Sequence, residues 1–239
     1  METLRSFDVF RDCRGEDLSR LAEAASLHRV KRGQALEAQH DKLLAIVRGL
    51  AGIRFARDGG ESELLVEIFG AGDLCSNWCW GDAGGGTLVA LEETVVMLLP
   101  RRALETLWLG DGAAALRFLE AVAHSRARAL ALAVQNACLD VGARVYCRLV
   151  ELAHRRGRKT AEGLHVPHGL SQSELAEFSS TTRENVNRHL NEWRARGWIE
   201  LKRRVVLVRD PEALGLAVGP AARRVGFGAG DGRLPLRAR

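Results

Sequence analysis

Residues 170–208 read LSQSELAEFSSTTRENVNRHLNEWRARGWIELKRRVVLV, and this stretch decides how the region around it folds. Ser171 and Glu174 have the spacing of a capping box, which predicts the start of a short helix. A polar turn follows, and Thr181 or Thr182 then predicts the start of a second helix. Two helices joined across so short a turn are typical of a helix-turn-helix.

The first turns of the second helix, predicted over residues 182–196, hold an unusual density of side chains that can read base edges. Arginine can bridge O6 and N7 of guanine, glutamate can accept from N4 of cytosine, and asparagine can pair with adenine. We therefore expect this helix to enter the major groove of double-stranded DNA. The residues that we expect to contact DNA from it are Thr182, Arg183, Glu184, Asn185, Asn187 and Arg188.

A basic hairpin is predicted directly after this helix. Residues 198–201 and 205–208 are apolar enough to pair as two strands, with Lys202, Arg203 and Arg204 at the tip. Such a hairpin is a wing, and we expect its three cations to contact DNA phosphates.

The net charge of +5 is distributed unevenly along the chain. Residues 144–204 hold 13 Lys and Arg against 7 Asp and Glu, whereas residues 1–143 hold 16 against 20. A basic block behind an acidic one indicates two domains and a polyanionic partner for the second. No apolar run approaches the roughly 20 residues of a membrane span, and residues 1–11 do not resemble a signal peptide. We therefore expect a soluble, cytoplasmic protein with no membrane partner.

Upstream of the quoted stretch the pattern changes from helix to strand and back to helix. Residues 1–30 have helical spacing, whereas residues 31–100 alternate short apolar runs with Gly- and Asp-containing turns, as in a small barrel or jelly roll. Residues 155–169 are rich in glycine and basic side chains, and we interpret them as a loop. The apolar runs that predict strands are 43–47, 51–55, 64–69, 87–91 and 94–99.

A long helix is predicted over residues 113–137, which lack glycine and proline and consist mainly of good helix formers. Two seams with steps of three and four residues run along it, one beginning at Leu116 and the other at Phe118. We favour a dimer helix over a helix packed in a monomer core, because a two-fold reader of DNA needs such an element. The residues that we assign to the dimer contact are Leu116, Leu119, Ala123, Arg126 and Leu130.

The order of these parts resembles the CRP/FNR (cyclic AMP receptor protein / fumarate-nitrate regulator) superfamily over roughly residues 4–215. The most specific match is the triplet Arg183-Glu184-x-x-x-Arg188, which is similar to the reading triplet of the family's recognition helix. Other stretches similar to family motifs are GAGDL at 70–74, DVGARV at 140–145, LSQSELA at 170–176 and RGWI at 196–199.

The resemblance implies an α+β protein that binds a pseudo-palindromic DNA site as a homodimer and works with RNA polymerase. The C-terminal residues 216–239 have no periodicity, and we expect them to form a flexible tail. The predicted domains are an N-terminal β-roll (cyclic-nucleotide-binding-like) sensor at 1–111, a dimerisation helix at 112–138 and a winged helix-turn-helix at 139–215.

The effector cassette departs from the family at two ligand contacts. In members that bind cyclic nucleotides a glutamate holds the ribose and an arginine holds the phosphate, whereas here Asn77 and Gly86 stand in their places. A buried phosphate without a cation is costly, so we do not expect cyclic AMP to be the effector. An iron–sulfur cluster is not expected either, because members that hold one carry several N-terminal cysteines and this chain has only Cys13 there.

The five cysteines follow no disulfide spacing, and we interpret them as reduced thiols. Cys75 and Cys79 would share one face of a helical cassette, and a histidine such as His28, His40 or His124 could complete a haem or metal site. A haem-binding, gas-sensing branch of the superfamily has its ligands in this neighbourhood, although core packing of the two thiols is the simpler alternative. The sequence does not identify the cofactor or the small effector. The residues that we assign to the effector or metal are Cys75, Asn77, Trp78, Cys79 and Thr87.

The sequence therefore predicts a dimeric, sequence-specific DNA-binding transcription regulator that does not respond to cyclic AMP. The alternative is a redox-, haem- or metal-responsive sensor module that acts mainly through protein contacts. An enzyme is not expected, because the sequence shows no nucleophile–base arrangement and no phosphate-binding loop.

Overall fold

The computed structural model describes residues 2–36, 41–56, 63–75 and 86–219. The chain divides into two compact units, Met1–Phe55 with Glu67–Arg126 and Ala56–Val66 with Ala127–Arg239.

Two four-stranded sheets make up the N-terminal β-region. Their strands are β1 (Ser26–Val30), β2 (Ala35–Leu36), β3 (Lys42–Arg48), β4 (Leu50–Ala56), β5 (Glu63–Gly70), β6 (Leu74–Cys75), β7 (Thr87–Ala90) and β8 (Thr94–Pro100). The order is β1-β8-β3-β6 in one sheet and β2-β7-β4-β5 in the other. All five predicted strand runs are strands, which confirms the β-rich N-terminal domain.

Helices precede and follow these strands. They are α1 (Glu2–Arg5), a 3₁₀ turn (Asp8–Phe10), α2 (Gly15–Ala24) and α3 (Arg101–Gly110). The prediction of helix for residues 1–30 is right as far as Ala24 and wrong for β1. This strand pairs with β8 along its whole length, so a partner 64 or more residues away decides its conformation. Its side chains are almost all exposed, so the sequence has no alternation of apolar and polar residues that would indicate a strand there.

The core of the first unit joins the N-terminal helices to the sheets. Phe7, Phe10 and Leu18 are completely buried and pack in one cluster with side chains of β3, β8 and the helix that follows α3. That helix is α4 (Gly112–Cys138), which confirms the long helix. Phe118 of α4 stacks on Trp108, with 4.5 Å between ring centroids.

The second unit contains the predicted helix-turn-helix and hairpin. Its elements after α4 are α5 (Val141–Arg156), β9 (Arg158–Thr160), β10 (Gly163–Pro167), α6 (Gln172–Phe178), α7 (Arg183–Ala195), β11 (Ile199–Lys202), β12 (Val205–Val208) and α8 (Pro211–Ala217). The strand order is β11-β12-β10-β9. The loop predicted at 155–169 is wrong, because α5 extends to Arg156 and two strands follow it. β9 is three exposed polar residues long and forms only by pairing with β10, which itself pairs with β12.

The second helix of the helix-turn-helix is fixed by its apolar side. Val186, Leu190 and Trp193 of α7 are buried, and each such side chain contributes about 1.5–3 kcal/mol through burial. Gly197 has a φ of +77° directly after the last turn, so a residue that tolerates left-handed backbone ends the helix there.

Candidate nucleic-acid interface

The first helix of the helix-turn-helix begins at a complete capping box. Ser171 Oγ accepts from the amide of Glu174 at 3.1 Å, and Glu174 Oε2 accepts from the amide of Ser171 at 2.6 Å. Two of the amides that a helix start leaves unpaired are therefore satisfied. The predicted box is confirmed.

Thr182, rather than Thr181, caps the second helix. Its Oγ1 accepts from the amide of Asn185 at 3.3 Å, while the side-chain amide of Asn185 donates to Thr181 Oγ1 at 3.2 Å. Asn185 is half-buried and engaged in the turn, unlike the exposed Arg183 and Glu184 that precede it. A DNA contact by Asn185 stays a prediction.

The outward face of α7 presents most of the predicted base readers. Thr182, Arg183, Glu184 and Arg188 are exposed, and Asn187 is half-buried on the same side. The pKa of Glu184 is lowered by its own backbone amide and by the Thr182 hydroxyl, so this side chain is an ionised acceptor.

One exposed residue of this face was missed at the sequence level. Asn191 lies three and four residues after Arg188 and Asn187, which places it on the same stripe one turn further along the helix. The spacing itself was the signal that could have identified it.

Arg144 of α5 holds the turn between the two helices. Its guanidinium donates to the carbonyl oxygens of Ser179 at 3.1 Å and Ser180 at 3.3 Å, and also to that of Leu139 at 3.1 Å. Ser180 has a φ of +52°, which is rare for a residue other than glycine. Arg144 thus satisfies the carbonyls of a strained turn, a role that only the folded structure reveals.

A buried ion pair in α5 packs against α6, the first helix of the helix-turn-helix. Arg148 donates to Glu151 at 3.1 Å, and its guanidinium lies 4.8 Å from the ring centroid of Phe178 in α6. Burial lowers the pKa of Arg148, and the carboxylate of Glu151 opposes that effect. Arg155 approaches the other oxygen of Glu151 at 3.7 Å.

The three cations predicted for the wing differ in their surroundings. Lys202 Nζ lies 3.7 Å from the carboxylate of Glu162 and 3.5 Å from that of Glu200. Arg203 and Arg204 are exposed, and within the described part of the chain no ion-pair partner is found for either. The charge of the wing is therefore concentrated at these two positions.

The predicted dimer seam lies on the exposed side of α4. All five of its residues are exposed, and Leu116, Leu119 and Leu130 keep 60–65% of their surface. The competing seam points inward, since Phe118 and Leu132 are buried.

The predicted effector cassette is described only at its edges. Cys75 is buried at the end of β6, whereas Thr87 is exposed at the start of β7. Asn77, Trp78 and Cys79 lie outside the described residues, as does His40. A Cβ atom at Gly86 would lie 2.7 Å from the ring of Phe55, so no larger side chain fits there without movement.

Two further features of the described residues concern the predicted metal site and the membrane. Neither His28 nor His124 belongs to a group of three or more potential metal ligands, and no such group occurs in the described ranges. No described helix is both long and apolar enough to cross a bilayer.

Comparison with known proteins shows the family at the level of sequence, and solved structures share the fold. Residues 143–216 match the family model of the Crp-like helix-turn-helix domain. A CRP-like cAMP-activated global transcriptional regulator of Mycobacterium tuberculosis is 33% identical over 181 residues, which cover 73% of this chain and 78% of the relative.

Solved structures that share the fold include a CooA mutant from Carboxydothermus hydrogenoformans, with a TM-score of 0.70, 20% identity and coverage of 82% of this chain and 89% of that one. FixK2 from Bradyrhizobium japonicum has a TM-score of 0.71 at 17% identity, with coverage of 82% and 98%. A CRP-family regulator from Thermus thermophilus has a TM-score of 0.68 at 23% identity, with coverage of 85% and 100%. The chain, with its β-rich N-terminal domain, long helix and capped helix-turn-helix, belongs to the CRP/FNR superfamily of DNA-binding transcription regulators.

Proposed function

We propose that the protein is a homodimer that recognises a pseudo-palindromic DNA site through α7. The observation that carries this proposal is the outward face of α7, where Arg183, Glu184 and Arg188 are exposed on a helix whose start is capped and whose turn is held by Arg144. In a two-fold dimer, two such helices would enter successive major grooves about 34 Å apart.

Selection from a random double-stranded DNA library tests this proposal. The wild-type protein should enrich one sequence with two inverted half-sites. Enrichment of a single half-site would contradict the dimer, and failure to enrich any sequence would favour the alternative of a sensor module that acts through protein contacts.

The dimer contact that we propose is the exposed seam of α4. Leucines that keep most of their surface exposed along one helix face are typical of a surface that a partner covers, and a second copy supplies the same seam by symmetry. Cys138, exposed at the end of α4, offers a direct probe of this packing. If two α4 helices pack in parallel, the two Cys138 thiols lie near each other at the same end of the pair.

A short bismaleimide should therefore cross-link the wild type into a covalent dimer. Cys138→Ser is the control that removes the probe, and Leu119→Glu with Leu130→Glu should abolish the dimer in solution. A double Glu variant that remains dimeric in sedimentation would contradict this contact. Around this helix we assign residues 1–111 to the sensor, 112–138 to dimerisation, 139–215 to DNA binding and 216–239 to a tail.

The effector that we propose is a small molecule other than cyclic AMP. The Mycobacterium tuberculosis relative is cAMP-activated by name, but this chain has Asn77 and Gly86 where the family's acid and cation hold that ligand. Tight, saturable binding of cyclic AMP in calorimetry at physiological salt would refute this proposal.

Cys75 and Cys79 are the sensing centre that we propose for a redox, haem or metal signal. The position of Cys75 supports this proposal, because Cys75 is the last residue of β6 and the rest of the predicted effector cassette follows it in the sequence. The double variant Cys75→Ser with Cys79→Ser should hold DNA affinity at one value, while that of the wild type changes with redox or metal state. Unchanged regulation in the double variant would assign both thiols to the core.

A further inference from the structure

A buried carboxylate and a buried hydroxyl meet between β5 and α4, within the first compact unit. Ser125 Oγ donates to Glu67 Oε1 at 2.7 Å, and the two residues keep only 2% and 4% of their surface exposed. A glutamate is rarely buried unless it is paired, because removing a carboxylate from water is costly. The fold therefore maintains this contact against a cost.

The strand that carries Glu67 is otherwise apolar on the same face. Alternate residues of a strand point to one side, so Glu67 shares its face of β5 with Leu65 and Phe69, both of which are completely buried. Packing alone does not account for an acid at this position. The strand ends at Gly70, whose amide donates to Asp73 Oδ2 at 2.8 Å in the turn that precedes the predicted effector cassette.

The middle of α4 has little apolar packing to orient it. Near the start of the helix, Phe118 is buried and stacks on Trp108. The next inward residues, Ala121 and Val122, are only partly buried. Ser125 follows about two turns after Phe118 and is the next buried residue along the helix. Its hydrogen bond to Glu67 therefore orients the middle of α4.

A directional bond distinguishes two sides of α4 that residue spacing leaves alike. Both seams of the helix have the same steps of three and four residues. A hydrogen bond weakens steeply when its geometry is lost, and a single buried polar contact is an attested means of fixing the register of a helix. With Ser125 turned to β5, Ala123 of the proposed dimer seam lies about 200° away around the helix and is exposed.

We propose that Glu67 and Ser125 are positioning residues that set the rotation of α4 about its axis, and thereby decide which face of α4 meets a second copy of the chain. The acid lies on the strand that leads toward the effector cassette, and the hydroxyl lies on the helix that carries the dimer seam. A displacement of β5 therefore reaches that seam through one hydrogen bond. This inference rests on the proposed dimer contact of α4.

Thiol cross-linking of the full-length protein measures which face of α4 meets the second copy. Ala123→Cys places a thiol on the proposed seam, and His124→Cys places one on a neighbouring exposed face, about 100° around the helix. Both changes are made in a Cys138→Ser background, which by itself gives the baseline. With a short bismaleimide, the thiol at position 123 should form covalent dimer several-fold faster than the thiol at position 124.

Removing either partner of the hydrogen bond should abolish this difference. Ser125→Ala removes the donor and Glu67→Leu removes the acceptor, and in each the two cross-linking rates should become similar. Ser125→Thr keeps a hydroxyl and Glu67→Gln keeps an acceptor oxygen, so both should retain the difference. Thr94→Ala is the matched control, because it removes another buried hydroxyl of the first unit, one that donates to Leu50, and should also retain the difference.

A several-fold difference that persists in both Ser125→Ala and Glu67→Leu would overturn the inference while leaving the proposed dimer seam intact. Loss of the difference in Thr94→Ala as well would also overturn it, since that result describes general destabilisation. If the Cys138→Ser background sediments as a monomer, or if its two thiol variants cross-link equally, the proposed dimer contact itself fails and the inference fails with it.

Discussion

The DNA-binding region and the sensor region both have apolar cores, but in the DNA-binding region directional polar interactions also position the functional helix. In the first, polar groups with defined directions position the functional helix: the capping box at Ser171, the cap at Thr182, the guanidinium of Arg144 and the buried pair of Arg148 with Glu151. In the sensor region, the core is a cluster of apolar side chains from the N-terminal helices, the strands and α4.

This difference suggests why the two regions diverge differently from the family. Directional hydrogen bonds tie the reading helix to particular residues, and the family motif is retained there. Apolar packing depends on volume more than on direction, so the residues of an apolar core can be exchanged for others of similar volume while the fold persists.

The largest effect is expected from breaking the buried ion pair. Glu151→Ala leaves the guanidinium of Arg148 in the core without its carboxylate, which should cost about 3–5 kcal/mol in the free energy of unfolding. Glu192→Ala removes an exposed carboxylate paired with Arg196 and is the matched control, with an expected cost of about 0–1 kcal/mol. Urea denaturation measures both, and similar losses in the two variants would contradict the importance of the buried pair.

Acid should weaken the DNA-binding region through His168. Burial, followed by the charges of Arg156 and Arg204, lowers the pKa of this imidazole from 6.5 to about 4. Between these two pH values the unfolded chain binds more protons than the folded one, so stability falls as the pH falls, by up to about 1.4 kcal/mol per pH unit.

The variant His168→Asn should show a flatter dependence of unfolding free energy on pH across this window. His124→Asn, at an exposed position of α4, is the control and should keep the wild-type slope. An unchanged slope in His168→Asn would assign the acid sensitivity to another group.

Loss of a base-reading arginine should act on DNA binding and leave stability nearly unchanged. Arg183→Ala or Arg188→Ala should each cost about 1–3 kcal/mol in binding free energy and relax preference at one base pair per half-site. Arg194→Ala, in the last turn of the same helix, should leave base preference unchanged. Binding assays with single-base variants of the selected DNA site measure both the loss of affinity and the change in base preference. A uniform loss across all sequences in Arg183→Ala would contradict a base contact.

The smallest effect is expected at the helix caps. Ser171→Ala removes the acceptor of the Glu174 amide and should cost about 0.5–2 kcal/mol of stability. Ser173→Ala, an exposed serine in the same first turn, provides the control with no cap to lose. If both variants unfold at the same denaturant concentration as the wild type, the capping box contributes nothing measurable.

Much of the fold follows from local signals along the chain. The capping box, the buried spacing of Val186, Leu190 and Trp193, and the glycine at 197 identify the helix-turn-helix, because a helix start, a helix face and a helix end each depend on residues a few positions apart. The five apolar runs identify the larger strands for the same reason.

The tertiary structure alone decided the features that depend on distant partners. β1 and β9 have exposed side chains and become strands only because β8 and β10 offer hydrogen bonds, a contribution that hydropathy does not record. The contacts of Arg144 with Ser179 and of Lys202 with Glu162 bring together groups about 35 and 40 residues apart, so no local pattern predicts them. Sequence periodicity indicates two seams on α4, and only the folded structure shows that Phe118 of one is buried while Leu116 of the other is exposed, because one side of a packed helix faces the core.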